Sequence, residues 1–111
     1  MFCAHHRVDR LTVILDCNRQ QLDGWTHEIL NTEPLAEKWR AFGWYVVDID
    51  GHDLAQIGDA FAEAHRTAGV PTLILARTVK GKGVSFMENN IEFHGAPPTP
   101  DQLAMALSEL S

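Results

Sequence analysis

Three short runs constrain the fold more than anything else in this chain: Leu11-Thr12-Val13-Ile14-Leu15, Trp44-Tyr45-Val46-Val47-Asp48-Ile49 and Pro71-Thr72-Leu73-Ile74-Leu75-Ala76. Each is rich in β-branched and aliphatic residues and too short for a typical helix. Near-continuous apolar runs of this length read as strands covered on both faces, the habit of a parallel sheet. The strands are expected near 11–16, 44–49 and 71–76.

Helical patterns lie between and after these runs, as parallel strands require. Residues 34–42 carry Leu35, Trp39 and Phe42 on one face, with Pro34 suited to the first turn and Gly43 to a left-handed stop. Residues 53–68 carry Leu54, Ile57, Phe61 and Ala64 on one face, with Asp53 as cap and Gly69 before Pro71 as terminator. Residues 100–110 follow Thr99-Pro100-Asp101-Gln102, a capping-box pattern with proline in the first turn. The expectation is an α/β fold with a parallel three-stranded sheet, pairing the runs at 11–15 and 71–76 in parallel. Loops of roughly 17 and 20 residues leave the carboxyl ends of the first and third strands, and long loops in compact α/β units are usually functional. Ligands of open parallel sheets gather at that edge, so the expected ligand edge is 17–33 and 77–98.

Charge and composition exclude several classes. Nine Lys plus Arg stand against fifteen Asp plus Glu, a net charge of −6. No basic stripe is present to meet nucleic-acid phosphates. No apolar run reaches the about 18 residues of a membrane span, and the N-terminal residues lack the apolar stretch of a secretory signal. Cys3 and Cys17 form no Cys-x-x-Cys pair, which fits a reducing, cytoplasmic setting. With 111 residues, one core is possible, but a large multi-step active site needs more chain.

The first loop begins Asp16-Cys17-Asn18-Arg19-Gln20-Gln21-Leu22-Asp23-Gly24. An Asn amide oxygen and a nearby carbonyl are hard donors that suit Mg²⁺ shared with phosphate oxygens; Asn18 and Asp23-Gly24 read equally well as turn residues. The second begins Thr78-Val79-Lys80-Gly81-Lys82-Gly83. Its glycines let backbone approach an anion and its lysines supply charge, yet it is neither a P-loop nor a dinucleotide fingerprint, and a solvated basic turn accounts for it as well. His94-Gly95 can transfer a proton or donate to phosphate, or lie idle on the surface. His5, His6, His27 and His65 read as surface residues, His52 as part of a turn, and Cys17 as a small buried hydrophobe.

Taken together, these segments resemble the diphosphate-binding domain of transketolase. The resemblance runs through 15–24, 33–44, 50–53 and 78–89 and ends at His94-Gly95, and it covers nearly the whole chain. The bacterial split type, in which this domain is a separate subunit, is the most similar form. The resemblance implies a thiamine diphosphate enzyme that moves a two-carbon ketol unit between sugar phosphates, with the cofactor carrying the carbanion chemistry. It further implies Asn18 as Mg²⁺ ligand through its side-chain oxygen and Gln20 through its backbone carbonyl. Leu22 would pack near the cofactor rings, and Lys80 and His94 would form the active-site pair near diphosphate and substrate.

Several family features do not occur between residues 1 and 111: the Gly-Asp-Gly whose Asp is the charged Mg²⁺ ligand, the upstream histidines, and the pyrimidine-binding domain with its activating Glu. Residues 2–9 resemble the tail of the helix that leads into the first strand. The expectation is therefore a single partial domain over 1–111, the C-terminal part of the cofactor domain. It would be active only beside complementing chains, in an oligomer, without nucleic-acid or membrane partners. Trp39, Phe42, Trp44 and Phe93 are then candidates to face those chains or to fill the core. A non-catalytic remnant that binds a diphosphate or a partner chain is a second reading. A fragment of a deoxyxylulose phosphate synthase-like enzyme is a third.

Overall fold

The computed structural model describes residues 1–111. The chain divides into two units, one formed by Met1–Cys17 with Thr32–Thr78 and the other by Asn18–Asn31 with Val79–Ser111.

The first unit holds the sheet. Strands β1 (Thr12–Cys17), β4 (Tyr45–Asp50) and β5 (Thr72–Arg77) line up in the order β1-β5-β4. Both pairings are parallel: Val13 and Val46 flank Leu73, and Leu15 and Asp48 flank Leu75. The central place goes to β5 because its run tolerates burial on both faces. Thr72 through Ala76 are all buried, whereas β1 alternates in exposure and β4 leaves Tyr45, Asp48 and Asp50 exposed.

The period of two in a strand sends successive side chains to opposite faces, and each face finds its own cover. Leu73 and Leu75 pack with Cys17, Trp44 and Val46 beneath Ala36, Leu35 and Trp39 of helix α3 (Leu35–Ala41) and Cys3 and Ala4 of helix α1 (Phe2–His5). Ile74 and Ala76 pack with Val47 and Ile49 beneath Ile57 and Ala60 of helix α4 (Leu54–Arg66). Trp39 and Trp44 meet edge to face with ring centroids 4.8 Å apart, so Trp44 is core, Trp39 is half-buried and Phe42 is exposed.

The helix signals behave as their chemistry requires. The Asp53 carboxylate accepts from the Ala55 and Gln56 amides at 2.9 and 3.2 Å. A bond from the Gln56 side chain, together with those two, holds its pKa below the ordinary value. Gly43 stops α3 at φ +83°, whereas α4 ends at Arg66 with Thr67 extended at its cap, ahead of Gly69 and short of the 68 its pattern suggests. Pro34 occupies the cap position rather than the first turn, so α3 begins one residue later than its sequence pattern suggests.

The second unit is built from shorter pieces. A hairpin pairs β2 (Gln20–Gln21) with β3 (Gly24–Trp25) and runs into α2 (Thr26–Ile29). A 3₁₀ turn covers Ile91–His94, and α5 (Pro100–Glu109) follows with both halves of the Thr99/Gln102 capping box formed. The hairpin and α2 lie where an unstructured first loop is expected from sequence. Two-residue strands and a four-residue helix are too short to write a period into the sequence.

Candidate functional site

The two long loops start side by side. The β1–β5 pairing continues one step past the strands, with the Thr78 amide donating to the Cys17 carbonyl at 3.3 Å, and the Thr78 hydroxyl donates to the Asp16 carboxylate. A parallel register thus delivers both loop origins to the carboxyl edge of the sheet. Arg77 stiffens that edge. Its guanidinium grips Asp48 with two bonds, 3.1 and 3.0 Å, and reaches Glu33 at 2.8 Å. The Asp48 bonds, reinforced by Glu33, raise its pKa further above the usual arginine value. Glu33 in turn accepts from the Leu35 amide at the head of α3. Cys17 lies buried beside this cluster.

All five sequence-predicted site residues, Asn18, Gln20, Leu22, Lys80 and His94, fall in the second unit. Asn18 makes an Asx turn: its Oδ1 accepts from the Gln20 amide at 2.9 Å. Arg19 between them takes φ +61°. An amide oxygen has two lone pairs, so this bond leaves one for another partner. Leu22 sits at the hairpin tip, 66% exposed.

The lysine loop closes on itself. Asn89, in the left-handed region at φ +57°, donates its amide to the Lys80 carbonyl at 2.9 Å. Inside this bracket the Val84 amide bonds to the Gly81 carbonyl, the Glu88 amide bonds to the Val84 carbonyl, and Val84 is buried as the anchor. Gly81 has no substitute: φ is +74° and a Cβ would collide with the Met87 carbonyl. Gly81→Ala is expected to destabilise the chain by more than the about 1–2 kcal/mol of a left-handed alanine alone, because the collision adds to it. An unchanged urea midpoint would contradict this.

Within the loop the two lysines differ. Lys82 pairs with Glu88 at 3.5 Å, whereas Lys80 is half-buried and makes no ion pair. A half-buried lysine without a counter-charge has its ammonium available to an anion.

A side-chain hydrogen bond joins the two loops inside this unit. The Gln20 side-chain Nε2 donates to the Asn89 carbonyl at 2.6 Å, across 69 residues of sequence. Asn18, Gln20 and Lys80 are thereby brought together through three successive hydrogen bonds. His94 is not part of that chain of bonds. It ends the 3₁₀ turn, exposed, and the turn is tied to the lysine loop by Phe93 against Phe86, ring centroids 5.6 Å apart. Leu22 likewise has no hydrogen-bonded route to the others.

Sequence reasoning missed the residues that hold the loops: Arg77, Asn89, Ser85 and Glu109. No local pattern marks them, since each acts through a distant partner. The Glu109 carboxylate on α5 accepts from the Ser85 amide at 2.5 Å and its hydroxyl at 2.7 Å. These bonds lower the Glu109 pKa, against the nearby charge of Glu88. A depressed carboxylate adds stability above its unfolded-state pKa and loses it as pH falls through the folded value. Exchange of the Ser85 amide is therefore expected to stay slow down through the ordinary carboxylate range and to accelerate only below it. Loss of protection already at pH 6 would contradict the clamp.

No three His, Cys, Asp or Glu side chains converge into a metal site, and no helix is long and apolar enough to cross a membrane. His5, His6, His27 and His65 are exposed.

Comparison with known proteins supplies the context. The family described as "Transketolase, thiamine diphosphate binding domain" matches residues 1–110. The chain is 44% identical over 110 residues to the 6-deoxy-6-sulfo-D-fructose transketolase subunit of Clostridium sp. (strain MSTE9), covering 99% of this chain and 40% of that protein. It is 40% identical over 107 residues to an apulose-4-phosphate transketolase subunit of Actinobacillus succinogenes, covering 96% and 38%. It thus spans about two fifths of the length of these relatives. Among solved structures, transketolase from Campylobacter jejuni superposes with a TM-score of 0.90 at 28% identity, over 97% of this chain and 17% of that one. Transketolase from Leishmania mexicana gives 0.89 at 30% identity, over 97% and 16%.

Proposed function

The chain belongs to the transketolase thiamine diphosphate-binding domain family, and on that premise we propose that its two loops hold the metal-diphosphate end of thiamine diphosphate for transfer of a two-carbon ketol unit between sugar phosphates. The observation that carries this reading is a half-buried lysine without an ion pair, Lys80, whose backbone carbonyl is linked by hydrogen bonds through Asn89 and Gln20 to the Asn18 turn. An anion-seeking cation and a hard oxygen donor, brought together from distant parts of the chain, match a Mg²⁺-diphosphate.

The donor set fits Mg²⁺ as part of a shell. Asn18 Oδ1 keeps a free lone pair and the Gln20 carbonyl adds a second neutral oxygen. Mg²⁺ demands near-octahedral oxygen coordination and usually one or two carboxylates. The remaining ligands would be diphosphate oxygens and the carboxylate of the family's Gly-Asp-Gly, which does not occur between residues 1 and 111. This shortfall is the physical reason to propose complementation: a second transketolase chain or segment supplies the Gly-Asp-Gly carboxylate and the pyrimidine-binding domain, and the working form is an oligomer.

Thiamine diphosphate, when bound, supplies the carbanion that carries the ketol unit. This chain's own residues do the rest of the local work. Lys80 neutralises diphosphate charge with the loop glycines beside it. Leu22 offers an exposed apolar surface to the cofactor rings. His94, exposed on its tethered turn, donates or accepts a proton at a substrate oxygen. The two relatives are named for ketoses that end in a sulfonate or a phosphate; a ketose with a terminal anion is the substrate class proposed here.

The test is ketol transfer. The chain is assayed alone, and again co-expressed with the part of the Clostridium relative that it does not cover and with a pyrimidine-binding transketolase chain. No transfer alone, transfer in the complemented assembly, and a drop of about 100-fold or more with His94→Ala support the reading. An assembly that forms and binds cofactor yet transfers nothing leaves the non-catalytic binding module as the function.

A further inference from the structure

We infer that the side-chain amide of Gln20 is a positioning residue that sets Lys80 against the Asn18 turn, an inference that rests on the diphosphate-binding reading above. Gln20 has a place in that reading only through its backbone carbonyl. Its side chain does something separate. Asn89 offers a carbonyl, which only accepts, so the Gln20 amide must turn its NH₂ toward it, at 2.6 Å. The amide orientation is therefore fixed, and its oxygen is left buried and without a partner. A buried acceptor left empty costs free energy. That cost is tolerated where the opposite end of the same group fixes something useful.

What it fixes is the far end of the lysine loop. The Asn89 amide closes the loop on the Lys80 carbonyl at 2.9 Å. The near end of Gln20, its backbone amide, is held by Asn18 Oδ1 at 2.9 Å. One residue thus spans from the oxygen donor to the bracket around the cation. Lys80 has no ion pair of its own to hold it there, and the Gln20–Asn89 bond links the Asn18 turn to its loop. Free of Gln20, the Lys80 loop keeps its own bracket but loses its register on the Asn18 turn, and the ammonium samples positions off the diphosphate. Preorganisation of this kind acts on affinity by sparing the ordering cost at binding.

The experiment is a double-mutant cycle on binding of thiamine diphosphate with Mg²⁺ by isothermal titration. Gln20→Met keeps the length and removes the donor. It is expected to weaken binding about 2- to 12-fold, the range of one hydrogen bond, and to speed exchange of the Asn89 amide. In a Lys80→Ala background the same substitution is expected to change affinity no further, because Gln20 acts through Lys80. A residue that merely holds the hairpin together would instead give the full loss in both backgrounds, and that additivity would overturn the inference. So would a Gln20→Met protein that binds as well as the parent. A folded parent protein that shows no binding at any concentration, alone or in the complemented assembly, would overturn the diphosphate reading itself, and this inference with it.

Discussion

Leu73→Ala is expected to lower stability by about 2–5 kcal/mol, the range for deleting a fully buried leucine side chain. Leu73 is 0% exposed in the central strand, with Val13 and Val46 at its flanks. The sheet cannot collapse onto the void without moving two neighbouring strands, so the cavity persists. Against a total of about 5–15 kcal/mol for an ordinary domain, the loss is large. It should appear as a lower urea midpoint with an unchanged slope. Ile14→Ala provides the contrast. Ile14 lies in the edge strand and is 57% exposed, so its truncation should stay near the about 0.5 kcal/mol of a surface change. Equal effects at the two positions would contradict the strand order.

Lys80→Ala is expected to do the reverse, leaving stability nearly untouched and removing affinity. The ammonium makes no ion pair within the chain, so little folded-state energy is lost with it. A charge-assisted bond to a diphosphate contributes about 1.5–3 kcal/mol, which is about 10- to 150-fold in dissociation constant. Lys82 is the internal control: it already faces Glu88 at 3.5 Å and is exposed, so Lys82→Ala should change diphosphate affinity only a few-fold. Titration with inorganic pyrophosphate and Mg²⁺ checks both. Comparable losses for the two lysines would mean that the loop acts as a diffuse basic surface rather than through one placed cation.

The sheet was legible because its signal is local and dense. Leu73, Ile74 and Leu75 can only be a doubly covered strand, and Asp53, Gly43 and Thr99 are helix punctuation whose hydrogen bonds close within a few residues. The neighbourhoods of Asn18 and Lys80 were legible as loops at the carboxyl edge, since parallel topology dictates that edge. What joins them was not. The Gln20–Asn89 bond and the Ser85–Glu109 clamp connect residues far apart in sequence through side chain-to-backbone bonds, and such bonds leave no period and no spacing. The β2–β3 hairpin escaped for a different reason: with two residues per strand, its order comes from the Asn18 turn and Gly24 rather than from an alternating face. The roles proposed for Leu22 and His94 rest on the family resemblance together with their exposure, since neither is bonded to the other site residues.

The most direct measurement of the central claim is the thermal unfolding of this chain with thiamine diphosphate, with and without Mg²⁺, alongside Asn18→Ala. Ligand at about 100 times its dissociation constant stabilises a protein by about 2.7 kcal/mol, several degrees or more in Tm for a chain of this size. The account predicts a saturable rise in Tm that requires Mg²⁺ and fades in Asn18→Ala. A cooperatively folded chain whose Tm does not move at any concentration of cofactor and metal, alone or in the complemented assembly, would contradict it.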